Sequence, residues 1–131
     1  MNLQTDYCSK SKLQFSLKNA THEFSLIRVR MTIDGGRFTY YLPSRIKTQF
    51  WDNQNGCAIE DLKRNPALKG NPTLQNILRN INVEIDKTTN ALIYVIENFK
   101  SQGIHPANEQ IKIELDKRLG REKKHSRQSK E

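Results

Sequence analysis

Residues 25–43, SLIRVRMTIDGGRFTYYLP, decide the fold. On both sides of Asp34-Gly35-Gly36, every second side chain is apolar or aromatic. A period of two predicts β-strands, because successive side chains of a strand point to opposite faces of a sheet. The paired glycines tolerate the positive φ of a tight turn, so the stretch is predicted to form a β-hairpin.

A third alternating run precedes the hairpin. Residues 12–18, KLQFSLK, place apolar side chains at every second position, and the polar residues 19–24 follow as a turn. The three predicted strands cover about 12–18, 25–33 and 37–42, the last one stopping at Pro43, which cannot donate to a ladder. The sequence therefore predicts a three-stranded antiparallel sheet over residues 12–42.

Two helices are predicted after a loop over residues 43–71. Asn71 is a suitable N-cap and Pro72 a suitable first helical residue. Apolar residues then recur at helical spacing over 72–101, and Gly103 supplies a stop. A shorter helix is expected at 106–119. The fold class is thus α+β, with the three-stranded antiparallel sheet packed against a long α-helix and a second, shorter C-terminal helix.

Both ends of the chain lack apolar periodicity. We expect residues 1–11 to be disordered and residues 120–131 to form a basic flexible tail or linker, which leaves 12–119 as one domain. The tail could also act as a nonspecific phosphate-binding arm. No apolar run reaches the roughly 20 residues of a membrane span, and no signal peptide is apparent, so we expect no membrane association and a cytoplasmic location.

Positive charge is concentrated in the strand region. The chain carries a formal net charge of +8, and residues 10–50 contain eight Lys and Arg against two acidic residues. On the predicted solvent face of the sheet, at least four cations follow one another without a carboxylate. A merely solvated face is one interpretation, since antiparallel sheets often wet one side. Mutual repulsion of cations nevertheless favours a polyanionic partner.

The residue types on this face suit duplex DNA. Arginine can bind guanine bidentately, glutamine can bind adenine, and threonine methyl groups can contact thymine. Lysines and a turn histidine would contact phosphates and set the register. The candidate DNA-binding residues are Lys12, Gln14, Ser16, Lys18, His22, Arg28, Arg30, Thr32, Arg37, Thr39, Tyr41 and Lys47.

The order of these elements resembles a known family. The meander is followed by RIKTQFWD (45–52), by Gly56, and by a long helix ending in SQGIHPANEQIK (101–112). This pattern is similar to the N-terminal arm-type DNA-binding domain of Bacteroides-type tyrosine recombinases, the phage-integrase family. The resemblance implies sequence-specific binding of arm-type attachment-site DNA, with the sheet in the major groove, as part of the integrase of a mobile element.

The same resemblance implies a non-catalytic chain. The nucleophilic tyrosine of the family belongs to a later domain, so we expect this chain to be an amino-terminal fragment or a truncated form that does not cut DNA. Other integrase protomers are possible partners. We expect no cofactor, no metal site and no small-molecule substrate, because the histidines and cysteines lack ligand spacing.

Three alternatives remain open on the residues themselves. The long helix could serve as a protein-interaction or oligomerisation module, using residues 92–99. RNA binding is disfavoured, because Tyr41 is the single aromatic residue expected on the exposed face. Trp51 could stack on a base, although a position in the core is the better prediction.

Overall fold

The computed structural model describes residues 13–33 and 35–121. The strands are β1 (Gln14–Leu17), β2 (Phe24–Ile33), β3 (Gly36–Lys47), β4 (Trp51–Asp52) and β5 (Cys57–Ala58). The α-helices are α1 (Pro72–Ser101) and α2 (Asn108–Leu119), and two short 3-10 helices cover Thr48–Phe50 and Pro66–Leu68. The predicted α+β class is confirmed, with its three-stranded antiparallel sheet, long helix and shorter C-terminal helix.

The main sheet is a meander in the order β1-β2-β3, and β4 pairs with β5 in a separate hairpin. Across the sheet, Arg28 lies between Ser16 and Tyr41, while Arg30 lies between Gln14 and Thr39. All three strands therefore contribute to each transverse row of side chains.

The predicted end of the third strand is wrong. We expected a loop from residue 43 onward, but β3 continues through Pro43 to Lys47. The register of β2 and β3 shifts between Leu26 and Arg28, opposite this part of β3. Because β3 is an edge strand and the ladder is irregular at this point, the strand can include Pro43 although proline has no backbone N–H to donate. The strand resumes regular pairing with Arg45 opposite Leu26.

The chain divides into two units, Met1–Asp86 and Lys87–Glu131. The first unit has a core in which the inner face of the sheet packs against the first part of α1. Its buried members are Leu17, Ile27, Leu42, Ile46, Phe50, Trp51, Ala58, Leu68, Leu78, Ile81 and Ile85. Trp51, at 5% exposure, is a core residue as predicted. Burying these apolar side chains supplies the main stabilisation of the unit.

Helix α1 begins as the sequence predicts. The side-chain Oδ1 of Asn71 accepts the backbone N–H of Leu74 at 3.1 Å, so Asn71 is the N-cap and Pro72 the first helical residue. The helix continues to Ser101, which matches the predicted range of 72–101.

The second unit contains the end of α1 and all of α2. Gly103 has φ of 72° and ends α1, while the N–H of Ile104 bonds back to the carbonyl of Phe99 at 3.0 Å. Helix α2 starts at Asn108 rather than at 106, and its apolar residues Ile111 and Leu115 are fully buried. On α1, Leu92, Val95 and Ile96 are buried as well.

Parts of the predicted domain plan fall outside the described residues. The predicted disordered segment 1–11 does so entirely, and the predicted tail does so from residue 122 onward. Among the helices of the described chain, none is long and apolar enough to cross a membrane.

Candidate nucleic-acid interface

The solvent side of the sheet, termed the wet face below, is built by the outward positions of β1, β2 and β3. Its side chains are half-buried or exposed, whereas the alternate positions Ile27, Val29 and Phe38 are buried. The described residues of the wet face are Gln14, Ser16, Phe24, Leu26, Arg28, Arg30, Thr32, Arg37, Thr39, Tyr41, Pro43, Arg45 and Lys47. The prediction that Tyr41 is the single exposed aromatic residue of this face is wrong, because Phe24 at the start of β2 is exposed as well.

The wet face is cationic. Strands β1, β2 and β3 carry four arginines and one lysine but no Asp or Glu. Within residues 13–33 and 35–121, no ion pair involves Arg28, Arg30 or Arg45. At one end of the face, Lys47 lies 3.9 Å from Glu23, whose side chain is largely exposed. The charged side chains of the wet face therefore produce a positive electrostatic potential over it.

Neighbouring side chains orient two of the cations. The Nε of Arg28 donates to the Oγ of Ser16 at 3.2 Å, across the β1–β2 ladder. The Nζ of Lys18 lies 5.4 Å from the centre of the Tyr41 ring, within the range of a cation–π contact. These contacts hold the charged groups at the surface and leave Arg28 with its terminal nitrogens available as donors.

The predicted site residues that the structure describes come together on or beside the wet face. The outward strand positions are Gln14, Ser16, Arg28, Arg30, Thr32, Arg37, Thr39, Tyr41 and Lys47. Lys18 and His22 lie in the exposed turn between β1 and β2, where the His22 carbonyl accepts the Thr48 hydroxyl at 2.8 Å. Lys12 lies outside the described residues.

Arg45 is the residue that the sequence analysis missed. It is exposed on the wet face, opposite Leu26. The omission follows from ending the third strand at Pro43. The alternation of Arg45 and Lys47 with the apolar Ile46 was the signal that could have placed it.

The β4–β5 hairpin lies beside the open edge of β1. Its turn closes around Asp52, a buried carboxylate that accepts the backbone N–H groups of Gln54 at 3.0 Å and Asn55 at 3.1 Å. The Arg64 guanidinium donates to the same carboxylate at 2.8 Å and, with the bonds from Asn55, lowers the pKa of Asp52 to about 2. The ionised Asp52 side chain therefore stabilises the turn of the hairpin.

The helix anchors this hairpin from the other side. The side chain of Asn82 accepts the Ala58 N–H at 2.8 Å and donates to the Ala58 carbonyl at 3.0 Å. The same amide donates to Glu60 Oε2 at 2.7 Å. One α1 side chain thus completes the hydrogen bonding of a buried β5 residue.

The described residues include one cysteine thiol, that of Cys57. Burial raises the pKa of the Cys57 thiol, and the nearby Asp52 carboxylate adds to the shift, which disfavours the reactive thiolate. In residues 13–33 and 35–121, no group of three or more His, Cys, Asp or Glu side chains is placed to hold a metal ion.

Comparison with known proteins gives no match. Neither a scan against protein-family models, nor a search of curated proteins, nor a search of solved structures finds a similar family, protein or fold. The resemblance to the tyrosine-recombinase arm-type domain stays a prediction that rests on the order and spacing of the elements and on the Trp51-Asp52 pair.

Proposed function

We propose that the chain binds double-stranded DNA sequence-specifically, with the wet face of its sheet in the major groove. The observation that carries the proposal is the set of outward arginines on strands without a single carboxylate. A small β-sheet fits the major groove, whose base edges present donors and acceptors to arginine and glutamine.

The register separates two kinds of contact. Arg30 lies in one row with Gln14 and Thr39, three side chains that can bind base edges. Lys18 and Lys47 lie at the margins of the sheet and would contact phosphates, which fix the orientation of the protein without reading sequence. The mutational test therefore uses one variant of each kind, a base-contacting side chain and a phosphate-contacting side chain.

The biological role that fits this activity is the non-catalytic arm-binding part of a site-specific tyrosine recombinase. Under this proposal the protein acts in the cytoplasm, on arm-type attachment sites of a mobile element, and other protomers of the integrase are its partners. The DNA-cleaving residues would belong to another domain of the full recombinase, so the chain itself would not be an enzyme.

The test begins with a selection of duplexes from a random library by the wild-type chain. On the selected duplex, we expect Arg30→Ala to weaken binding by about 1–3 kcal/mol and to relax the preference at one position. Lys18→Ala should weaken all sequences equally and lower the salt slope by about 1.

The matched control is Arg79→Ala, which removes the same charge from α1. Arg79 Nε pairs with Glu60 Oε1 at 3.2 Å, and the guanidinium is about half exposed. Since α1 packs on the opposite side of the sheet, this variant should bind the duplex as the wild type does. Equal losses for Arg79→Ala and Arg30→Ala would remove the wet face from the mechanism.

A protein-interaction module on α1 is the second candidate. Ile77 and Val83 lie on α1 with 49% and 44% exposure, so both apolar side chains are accessible to a partner. Three of the residues first considered for this role, Leu92, Val95 and Ile96, are buried, which leaves this candidate with less support. A partner-induced NMR shift at Ile77 and Val83 with no shift in β2 would favour it over DNA binding.

A further inference from the structure

The turn of the β4–β5 hairpin continues the wet face beyond β1. An open groove runs along the edge of β1 and is lined on the strand side by residues 13–16, of which Gln14 and Ser16 belong to the wet face. Its other wall is formed by residues 53–56, here called the amide turn, with the side chains of Asn53, Gln54 and Asn55. Polar side chains therefore line both walls of the groove, Gln14 and Ser16 on β1 and Asn53, Gln54 and Asn55 on the turn.

We propose that the amide turn is a second DNA-contacting element, which donates hydrogen bonds to the same duplex that the wet face binds. The inference rests on the proposed function, since it needs a duplex on the wet face. The amide turn lies outside the three strands, and the sequence pattern did not predict it as a site.

The amide turn is held in place by its own contacts. Besides the two backbone bonds, the Asp52 carboxylate accepts Asn55 Nδ2 at 2.8 Å. Gly56, with φ of 68°, lies so close to β1 that a Cβ there would be 3.1 Å from the Phe15 carbonyl oxygen. A turn fixed against the edge of β1 loses little conformational entropy when it binds a ligand.

The chemistry of the turn suits a phosphate or a base edge. The side chains of Asn53 and Gln54 are exposed, and no hydrogen bond of theirs occurs within residues 13–33 and 35–121. Amide groups donate to phosphate oxygens and can bind adenine bidentately. The carboxylate of Asp52 is buried and paired with Arg64, whose own side chain is 52% exposed. The turn thus presents donors beside a cation, without exposing the anion beneath it.

A solvated turn with no partner is the competing explanation, and two variants separate it from a DNA contact. The first is the double variant Asn53→Ala/Gln54→Ala, compared on the selected duplex with Asn76→Ala/Asn80→Ala, which removes two exposed amides from α1. We expect the turn variant to bind at least about fivefold more weakly, as the loss of two hydrogen bonds predicts, and the helix variant within about twofold of the wild type.

The salt dependence supplies an independent readout. Neutral amides release no counterions, so the double turn variant should keep the wild-type salt slope. In the second variant, Gln54→Lys, a new cation beside the duplex should raise the slope by about 1, whereas Asn80→Lys on α1 should not.

The outcomes separate this inference from the proposed function. Unchanged duplex affinity of the double turn variant, or equal salt slopes for Gln54→Lys and Asn80→Lys, would overturn the inference. The proposed function would still stand in that case, provided that the wild-type chain binds the duplex. Failure of the wild-type chain to bind any duplex would overturn both. Trp51 fluorescence of each variant confirms that the fold is retained before binding is measured.

Discussion

The hydrogen bonds of Asn82 provide the sharpest stability prediction. Asn82→Ala removes the acceptor of the Ala58 N–H at 2.8 Å and the donors to the Ala58 carbonyl and Glu60. Ala58 is 3% exposed, so its backbone groups would be left buried without a partner. An unsatisfied buried group costs about 1–3 kcal/mol. Since alanine has the higher helix propensity, part of this loss is offset.

We therefore expect Asn82→Ala to lower the free energy of unfolding by roughly 2–4 kcal/mol. Urea unfolding followed by the fluorescence of Trp51, the single tryptophan, measures this directly because Trp51 lies in β4 of the same hairpin. Asn80→Ala, two residues away on the exposed side of α1, is the matched control and should change stability by less than about 0.5 kcal/mol. Equal urea midpoints for Asn82→Ala and Asn80→Ala would show that the hydrogen bonds of Asn82 to Ala58 do not stabilise the fold.

Two further predictions concern the hairpin. The pKa of Asp52 is lowered to about 2, so its ionised form stabilises the fold fully above the unfolded pKa, near 4, and this stabilisation is lost as pH falls through about 2. In an acid titration of stability, Asp52→Asn should show no such loss. A loss as large as that of the wild type would contradict the role given to Asp52. In thermal unfolding, Gly56→Ala should destabilise the protein more than Gly70→Ala. Both glycines have φ of 68°, but only at Gly56 would the new Cβ meet a backbone oxygen, at 3.1 Å. Equal losses of stability would mean that the hairpin does not depend on this close approach.

Much of the fold follows from local signals in the sequence. Helix α1 is predicted at its observed bounds because Asn71 and Pro72 mark its start and Gly103 marks its end, and these signals act within a few residues. The alternation around Gly35 likewise identifies β2 and the first part of β3, and it assigns the outward positions there correctly.

The parts that sequence did not predict depend on tertiary contacts. Strands β4 and β5 have two residues each, too few to show a period, and β5 depends on Asn82, 24 positions away from Ala58. The continuation of β3 through Pro43 depends on a register shift that the propensity of proline does not encode. For this reason most of the wet face could be predicted from the sequence, whereas Arg45 and the amide turn could not.

The central claim is that the outward arginines of the sheet meet duplex DNA. The most direct measurement is a backbone NMR titration of the whole chain with the selected duplex. The account predicts the largest shifts at Arg28, Arg30 and Thr39, with little change at Ile77 and Val83 on α1. Shifts confined to α1, with the strand residues unmoved at saturating DNA, would contradict it.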